Sequence, residues 1–121
     1  MKLVLILLAL VGFAMTEDFY TTGDDNIDVD AFFADQPRAK QFLDCYMDRA
    51  PCPELADSYK KIFPEAIAQA CKRCNSAQKH IFWKFLQGLK AKYAEEYQTF
   101  RQKYDPESKY FENLEKEISK Y

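Results

Sequence analysis

Residues 70–75 read ACKRCN, which places Cys71 and Cys74 in a C-x-x-C spacing. Cys45 and Cys52 complete the four cysteines of the chain. A C-x-x-C pair occurs in redox-active dithiols, in zinc sites and in small structural disulfides. The state of these cysteines decides whether the chain is a catalyst, a metalloprotein or a disulfide-stabilised scaffold.

Residues 1–16 carry the pattern of a secretory signal peptide. Lys2 is followed by an apolar run over residues 3–13, and small residues stand at the cleavage-site positions. A run of this length is too short for a transmembrane helix, which needs about 20 apolar residues. We predict cleavage after Thr16, leaving residues 17–121 as one secreted, extracellular domain with no stable membrane insertion.

Charge and histidine content exclude several function classes. The chain holds 17 Lys and Arg residues against 19 Asp and Glu residues, a formal net charge of −2, so nucleic acid is not expected as a partner. The only histidine, His80, stands in the polar stretch AQKHIF, and any Ser-His or Cys-His nucleophile would have to use it. A solvated helix position is the simpler interpretation. We therefore predict no catalytic residues and a protein that is not an enzyme.

Two disulfides are the predicted state of the four cysteines. A redox-active pair needs a preceding strand and a helix N-terminus at its first cysteine, whereas Cys71 lies near the end of a helical pattern. A four-cysteine zinc site is disfavoured by the unusual spacing of Cys45 and Cys52 and by export to an oxidising compartment. We predict no metal and no cofactor. Loop-closure entropy favours pairing between the two motifs and local geometry favours pairing within them, so the residues alone leave three connectivities open.

Apolar residues recur with helical spacing, and no long segment shows the period of two that is typical of strands. A short helix is predicted over residues 26–34, capped by Asp28 or Asn26 and ended by Gln36-Pro37. A second helix begins at this proline and ends before Pro51.

Pro64 lies inside the next apolar stripe, which runs from Leu55 to Ala70. Proline in a helix interior removes a backbone donor and clashes with the preceding turn. We therefore predict two helices here, at about 53–62 and 65–73.

The last third of the chain is predicted to be helical as well. Asn75 or Ser76 caps a helix, and the sequence leaves open whether residues 76–104 form one helix or two. Asp105-Pro106 predicts a turn before a final helix. The overall prediction is an all-α fold in a single compact domain.

The cysteine spacing, Cys-x6-Cys-x18-Cys-x2-Cys starting at Cys45, resembles that of the insect chemosensory proteins, also called OS-D-like proteins. Three other stretches agree with this family: EDFYTTGDDNIDVD at 17–30, FPEAIAQACKRC at 63–74 and KYDPESKY at 103–110. The resemblance covers essentially all of residues 17–114.

The resemblance implies a specific disulfide pairing, Cys45–Cys52 and Cys71–Cys74. It further implies a fold of about six helices around an internal hydrophobic channel. In this family the channel holds fatty acids, long-chain alcohols, esters or other semiochemicals. Tyr97 departs from the family, which usually has tryptophan at that position.

Helical periodicity alone predicts a set of core residues, and the family resemblance makes them ligand-binding candidates. They are Phe42, Tyr46, Tyr59, Ile62, Phe63, Ile67, Phe82, Phe85, Leu86, Leu89 and Tyr97. The resemblance singles out Phe42, Tyr59, Ile62, Phe85 and Tyr97 as pocket-side positions. Aromatic side chains suit an alkyl chain, and a tyrosine hydroxyl can orient a polar head. Ordinary helix packing is the competing interpretation for each of them.

The predicted function is a secreted, monomeric, non-enzymatic carrier whose partner is a small hydrophobic ligand. A secreted helical signalling or developmental factor, recognised through its outer surface, is the alternative. A small lipid-hydrolysing enzyme is a third possibility, and it would depend on His80.

Overall fold

The structure is a computed structural model that describes residues 19–121. Within these residues the chain forms helices and no strands. The helices are α1 Val29–Ala34, α2 Gln36–Tyr46, α3 Glu54–Lys60, α4 Phe63–Ala68, α5 Ser76–Lys92, α6 Ala94–Tyr104 and α7 Phe111–Ile118. The predicted all-α fold is confirmed, and the predicted signal peptide at 1–16 lies outside the described residues.

Both predicted disulfide bonds are present. Cys45 at the end of α2 is bonded to Cys52 in the loop before α3, with a Cα–Cα distance of 4.8 Å. Cys71 is bonded to Cys74 in the segment between α4 and α5, with a Cα–Cα distance of 5.0 Å. The pairing that the family resemblance implied is confirmed, and each bond closes a short local loop.

Polar side chains cap two of the helices where the sequence predicted them. Asp28 accepts a hydrogen bond from the N–H of Ala31 at 3.1 Å and caps α1. Asn75 caps α5 in a reciprocal arrangement, in which its side chain accepts from the N–H of Gln78 at 2.8 Å. The Gln78 side chain in turn accepts from the N–H of Asn75 at 2.9 Å. A cap of this kind stabilises a helix by about 1 kcal/mol.

Pro64 separates two helices as predicted, but the second helix is shorter than expected. Pro64 lies in the first turn of α4, where its missing N–H has no cost. The prediction that the helix continues to residue 73 is wrong, because Ala70 and Cys71 have positive φ angles of 54° and 60°. The N–H of Cys71 donates to the carbonyl of Ala66 at 2.7 Å, which closes the helix end in the way that a glycine usually does. The C-x-x-C motif is therefore a left-handed turn after α4.

Residues 76–104 form two helices, which the sequence had left open. The break is at Tyr93, where φ is −141° and ψ is 60°. No proline or glycine causes it. The Tyr93 ring lies 6.1 Å from the Phe33 ring of α1, so a tertiary contact accompanies the break.

The core is built from aromatic rings in mutual contact. The Phe63 ring lies between 4.8 and 5.6 Å from the rings of Tyr46, Phe82, Phe100 and Tyr104. Aromatic pairs of this geometry contribute about 0.5–1.5 kcal/mol each beyond their buried area. Through Phe63, α4 is packed against α2, α5 and α6.

Gly88 allows α1 to pack closely on α5. A Cβ atom at Gly88 would lie 2.1 Å from Cε2 of Phe33, far inside the contact distance. Phe33 is buried and cannot swing into solvent without losing its packing. The glycine in the middle of α5 is therefore required by packing.

Gly88→Ala should destabilise the protein even though alanine is the better helix former. Helix propensity alone would add about 1 kcal/mol of stability, but overpacking against the ring costs about 1–3 kcal/mol. Chemical denaturation of the single variant, and of Gly88→Ala combined with Phe33→Leu, measures this. We expect a net loss in the single variant and partial recovery in the double variant. An increase in the free energy of unfolding for the single variant would contradict the packing argument.

Asp105 organises the predicted turn before α7. It is 3% exposed, and its carboxylate accepts backbone hydrogen bonds from Lys109 at 2.8 Å, Tyr110 at 2.9 Å and Phe111 at 3.0 Å. Burial opposes ionisation, but these donors outweigh it and hold the pKa of Asp105 below its usual value. The ionised carboxylate therefore satisfies the N–H groups at the start of α7.

Asp105→Asn should lower the free energy of unfolding by about 1.5–3 kcal/mol at pH 7, because an amide replaces a charged acceptor. Since the native pKa is lowered, this contribution is present above the unfolded-state pKa of about 4 and is lost as pH falls through the native pKa. Urea unfolding between about pH 7 and pH 3 should show the gap between wild type and variant closing towards acid. The exposed Asp57, replaced by asparagine, is the control. A gap that stays constant with pH would contradict the assignment.

Candidate functional site

A cavity of about 60 Å³, partly open to solvent, lies between α1, α2, α3, α4 and α5. Seven of the predicted ligand-binding residues border it: Phe42, Tyr46, Tyr59, Ile62, Phe63, Phe82 and Phe85. Seven further residues complete its lining: Ile27, Val29, Phe32, Ala66, Cys74, Gln78 and Ile81. None of these side chains carries a formal charge. The cavity is thus an aromatic and aliphatic space with three polar side chains, Tyr46, Tyr59 and Gln78.

The other four predicted residues do not border this cavity. Ile67, Leu86 and Leu89 are almost completely buried in the packed core. Tyr97 lies further along the chain on α6, where its hydroxyl donates to Glu115 at 2.9 Å. A ligand-binding role for these four residues stays a prediction.

Some residues that border the cavity carried a sequence signal and others did not. Ile27, Phe32 and Ile81 belong to the apolar stripes that predicted the helices. Gln78 was not a candidate, because a polar residue in the first turn of a helix is normally solvated. Its position three residues after the Asn75 cap is the signal that could have found it.

Gln78 is buried, with 4% of its surface exposed, and its polar atoms have partners. Its Nε2 donates to the carbonyl of Tyr20 at 2.8 Å, and its Oε1 accepts from the N–H of Asn75. Buried amides are normally satisfied in this way. Gln78 therefore connects the start of α5 to the segment that precedes α1.

The segment of residues 20–25, which we call the N-terminal arm, forms neither helix nor strand and lies on the elements that form the cavity. The Gly23 N–H donates to Oγ of Ser58 at 3.0 Å, and the Tyr59 hydroxyl donates to the carbonyl of Asp24. The Asp25 carboxylate accepts from Nδ2 of Asn75 at 3.2 Å. The arm is thus tied to α3 and to the N-terminus of α5.

Both tyrosines that border the cavity keep their phenolic protons. Burial raises the pKa of Tyr59 and raises that of Tyr46 well above its usual value near 10. Tyr59 uses its hydroxyl to hold the N-terminal arm. Tyr46 uses its ring for packing, with Phe63 at 4.8 Å and Phe85 at 5.8 Å between centroids.

Neither His80 nor a group of possible metal ligands accompanies the cavity within residues 19–121. His80 is exposed on α5, with Nδ1 at 3.1 Å from the backbone oxygen of Tyr121, and does not border the cavity. Among residues 19–121, no group of three His, Cys, Asp or Glu side chains is placed to hold a metal ion. None of the helices described is both long enough and apolar enough to cross a bilayer.

The sequence matches the profile of the insect pheromone-binding family, A10/OS-D, over residues 20–112. The chain belongs to this family. Two A10/OS-D relatives show how far the likeness extends. Ejaculatory bulb-specific protein 3 of Drosophila melanogaster is 33% identical over 91% of this chain and 86% of its own length. Allergen Tha p 1 of Thaumetopoea pityocampa is 28% identical over 93% of this chain and 90% of its own length.

A solved structure has the same A10/OS-D fold. It is a chemosensory protein in complex with bromo-dodecanol, superimposed with a TM-score of 0.73 at 26% sequence identity. The alignment covers 81% of this chain and 98% of that one. The helical arrangement of this chain is therefore similar to that of a protein that holds a long-chain alcohol.

Asp25→Ala should loosen the N-terminal arm. The substitution removes an acceptor for Asn75 and Gln78, and the partly buried amides left behind should cost about 1–2 kcal/mol of stability. Hydrogen exchange should speed up at the Tyr20 and Gly23 amides, which bond across to other elements. Asp30→Ala is the matched control, since that side chain is 80% exposed. Equal protection of the arm amides in both variants would show that Asp25 does not hold the arm.

Proposed function

We propose that the chain is a carrier of small hydrophobic ligands, which it holds in the cavity formed by the five helices α1 to α5. The observation that carries this proposal is the uncharged cavity bordered by aromatic rings, in a fold shared with a protein that binds bromo-dodecanol. Fatty alcohols, esters and related semiochemicals are ligands of suitable chemistry. The alternative, a signalling factor acting through its outer surface, is not favoured by the family and fold comparisons.

The residues proposed to contact the ligand are those of the predicted set that border the cavity. They are Phe42, Tyr46, Tyr59, Ile62, Phe63, Phe82 and Phe85. Aromatic side chains offer a large apolar contact area with few rotatable bonds, so they lose little entropy on binding. Their rings can shield the alkyl chain of a ligand from water.

An energy estimate supports modest affinity. Burying about twelve methylene groups is worth roughly 10 kcal/mol at about 0.8 kcal/mol each. Association costs of about 4 kcal/mol or more leave around 6 kcal/mol, which corresponds to a Kd in the tens of micromolar. A carrier that has to release its ligand can work in this range.

Binding of a long ligand requires the cavity to expand. A volume of about 60 Å³ accommodates a few water molecules but not a twelve-carbon chain. The disulfides constrain only short loops, so the helices can shift relative to one another as the rings move. We infer that the lining rings rearrange when a ligand enters.

The proposal includes the absence of enzymatic activity, a monomeric state and no insertion into membranes. The uncharged lining offers no acid, base or activated nucleophile to a bound ligand.

Secretion is proposed from the signal-peptide pattern of residues 1–16 and from the two disulfides, which persist in oxidising compartments. Cleavage after Thr16 is part of the same proposal.

Fluorescence of N-phenyl-1-naphthylamine, an apolar probe, tests the carrier function. We expect the wild-type protein to bind the probe and 1-dodecanol to displace it with a Kd in the tens of micromolar. Ile81→Trp places a bulky side chain at the cavity and should weaken probe binding by about tenfold or more. Ala77→Trp, at an exposed position on the same helix, is the control and should bind like wild type. Absence of probe uptake by the folded wild type, or uptake unaffected by Ile81→Trp, would disprove the proposal.

A further inference from the structure

We propose that the Tyr46 hydroxyl is the hydrogen-bonding anchor for the polar end of the ligand. We propose further that it selects neutral oxygen-bearing head groups, such as alcohols, aldehydes and esters, over ionised carboxylates. This inference rests on the proposed function of the cavity and names the ligand class that the same site prefers.

Tyr46 is packed beside the cavity by three other aromatic rings of the lining. It is the last residue of α2 and is 4% exposed. Its ring makes edge-to-face contacts with Phe42 at 6.1 Å, Phe63 at 4.8 Å and Phe85 at 5.8 Å, and all three also border the cavity. The position of the hydroxyl is thus set by packing on several sides.

Among the three polar residues that border the cavity, Tyr46 is the one whose side chain has no hydrogen-bond partner within residues 19–121. The Tyr59 hydroxyl donates to the carbonyl of Asp24, and the Gln78 amide is bonded to Tyr20 and Asn75. No group among residues 19–121 forms a hydrogen bond with the Tyr46 hydroxyl. A hydroxyl in an apolar lining can still form hydrogen bonds, so an oxygen atom of a ligand would supply a partner for it.

The uncharged lining of the cavity favours neutral head groups over ionised ones. No Lys, Arg or His side chain borders the cavity, so a carboxylate placed beside Tyr46 would be buried without a counter-charge. Burial keeps the Tyr46 phenol protonated, and it can donate to a carbonyl or exchange hydrogen bonds with an alcohol. One neutral hydrogen bond does not offset the desolvation of a carboxylate.

Matched twelve-carbon ligands test the anchor by displacement of N-phenyl-1-naphthylamine at about pH 7.5. We expect 1-dodecanol to bind wild type about 3–10-fold more tightly than 1-bromododecane, which lacks the hydroxyl. Dodecanoate should bind at least about tenfold more weakly than 1-dodecanol. Tyr46→Phe should abolish the preference for the alcohol over the bromide and leave affinity for the bromide within about twofold. Tyr110→Phe, at an exposed position that does not border the cavity, is the control and should keep the preference.

A second measurement uses the wild-type protein and does not depend on the folding of a variant. With tyrosine labelled by ¹³C at Cζ, 1-dodecanol should shift the Tyr46 resonance and 1-bromododecane should shift it much less. An unchanged alcohol preference in folded Tyr46→Phe, equal shifts from both ligands, or dodecanoate binding as tightly as 1-dodecanol would each overturn the inference. If the probe binds and these ligand differences are missing, the carrier proposal survives and the anchor fails. If nothing binds, both fail.

Discussion

The packing of the Phe63 ring against four other aromatic rings is the interaction on which the rest of the structure depends. This ring connects α4 to α2, α5 and α6 through Tyr46, Phe82, Phe100 and Tyr104. It also borders the cavity, so the same side chain belongs both to the core and to the proposed ligand site. A ligand that displaces rings on the cavity side therefore acts directly on the contacts that hold the helices together. If the proposed site holds the ligand, stability and binding are coupled through Phe63.

Both disulfides of this chain are local. Each bond joins cysteines that are near in sequence, 7 residues apart for Cys45–Cys52 and 3 for Cys71–Cys74. They stabilise the loop after α2 and the left-handed turn after α4, but they do not connect distant helices. The relative positions of the helices depend on side-chain packing, which can be rearranged without breaking a covalent bond. An expandable cavity is compatible with such a scaffold, whereas cross-linked helices would resist it.

Features of the fold with a local cause could be predicted from the sequence, and features with a tertiary cause could not. The Asp28 and Asn75 caps and the separation of two helices at Pro64 are encoded by a few adjacent residues, and the structure confirms them. The break at Tyr93 has no local signal, because it accompanies packing against a ring of α1. The early end of α4 was missed since Ala70 adopts a backbone conformation that usually calls for glycine.

The distinction between local and tertiary causes also explains which residues of the site could be predicted from the sequence. Leu86 and Leu89 follow the same helical stripe as Phe82 and Phe85, yet the leucines lie in the filled core and the phenylalanines border the cavity. Periodicity identifies the inward face of a helix, but the distance to the opposite helices decides where a space remains. Hydrogen bonding also requires the structure: Tyr46 and Tyr59 look equivalent as stripe residues, and only the partner of each hydroxyl distinguishes them. The Tyr59 hydroxyl is bonded to the N-terminal arm, so our proposal assigns the ligand's hydrogen bond to the Tyr46 hydroxyl.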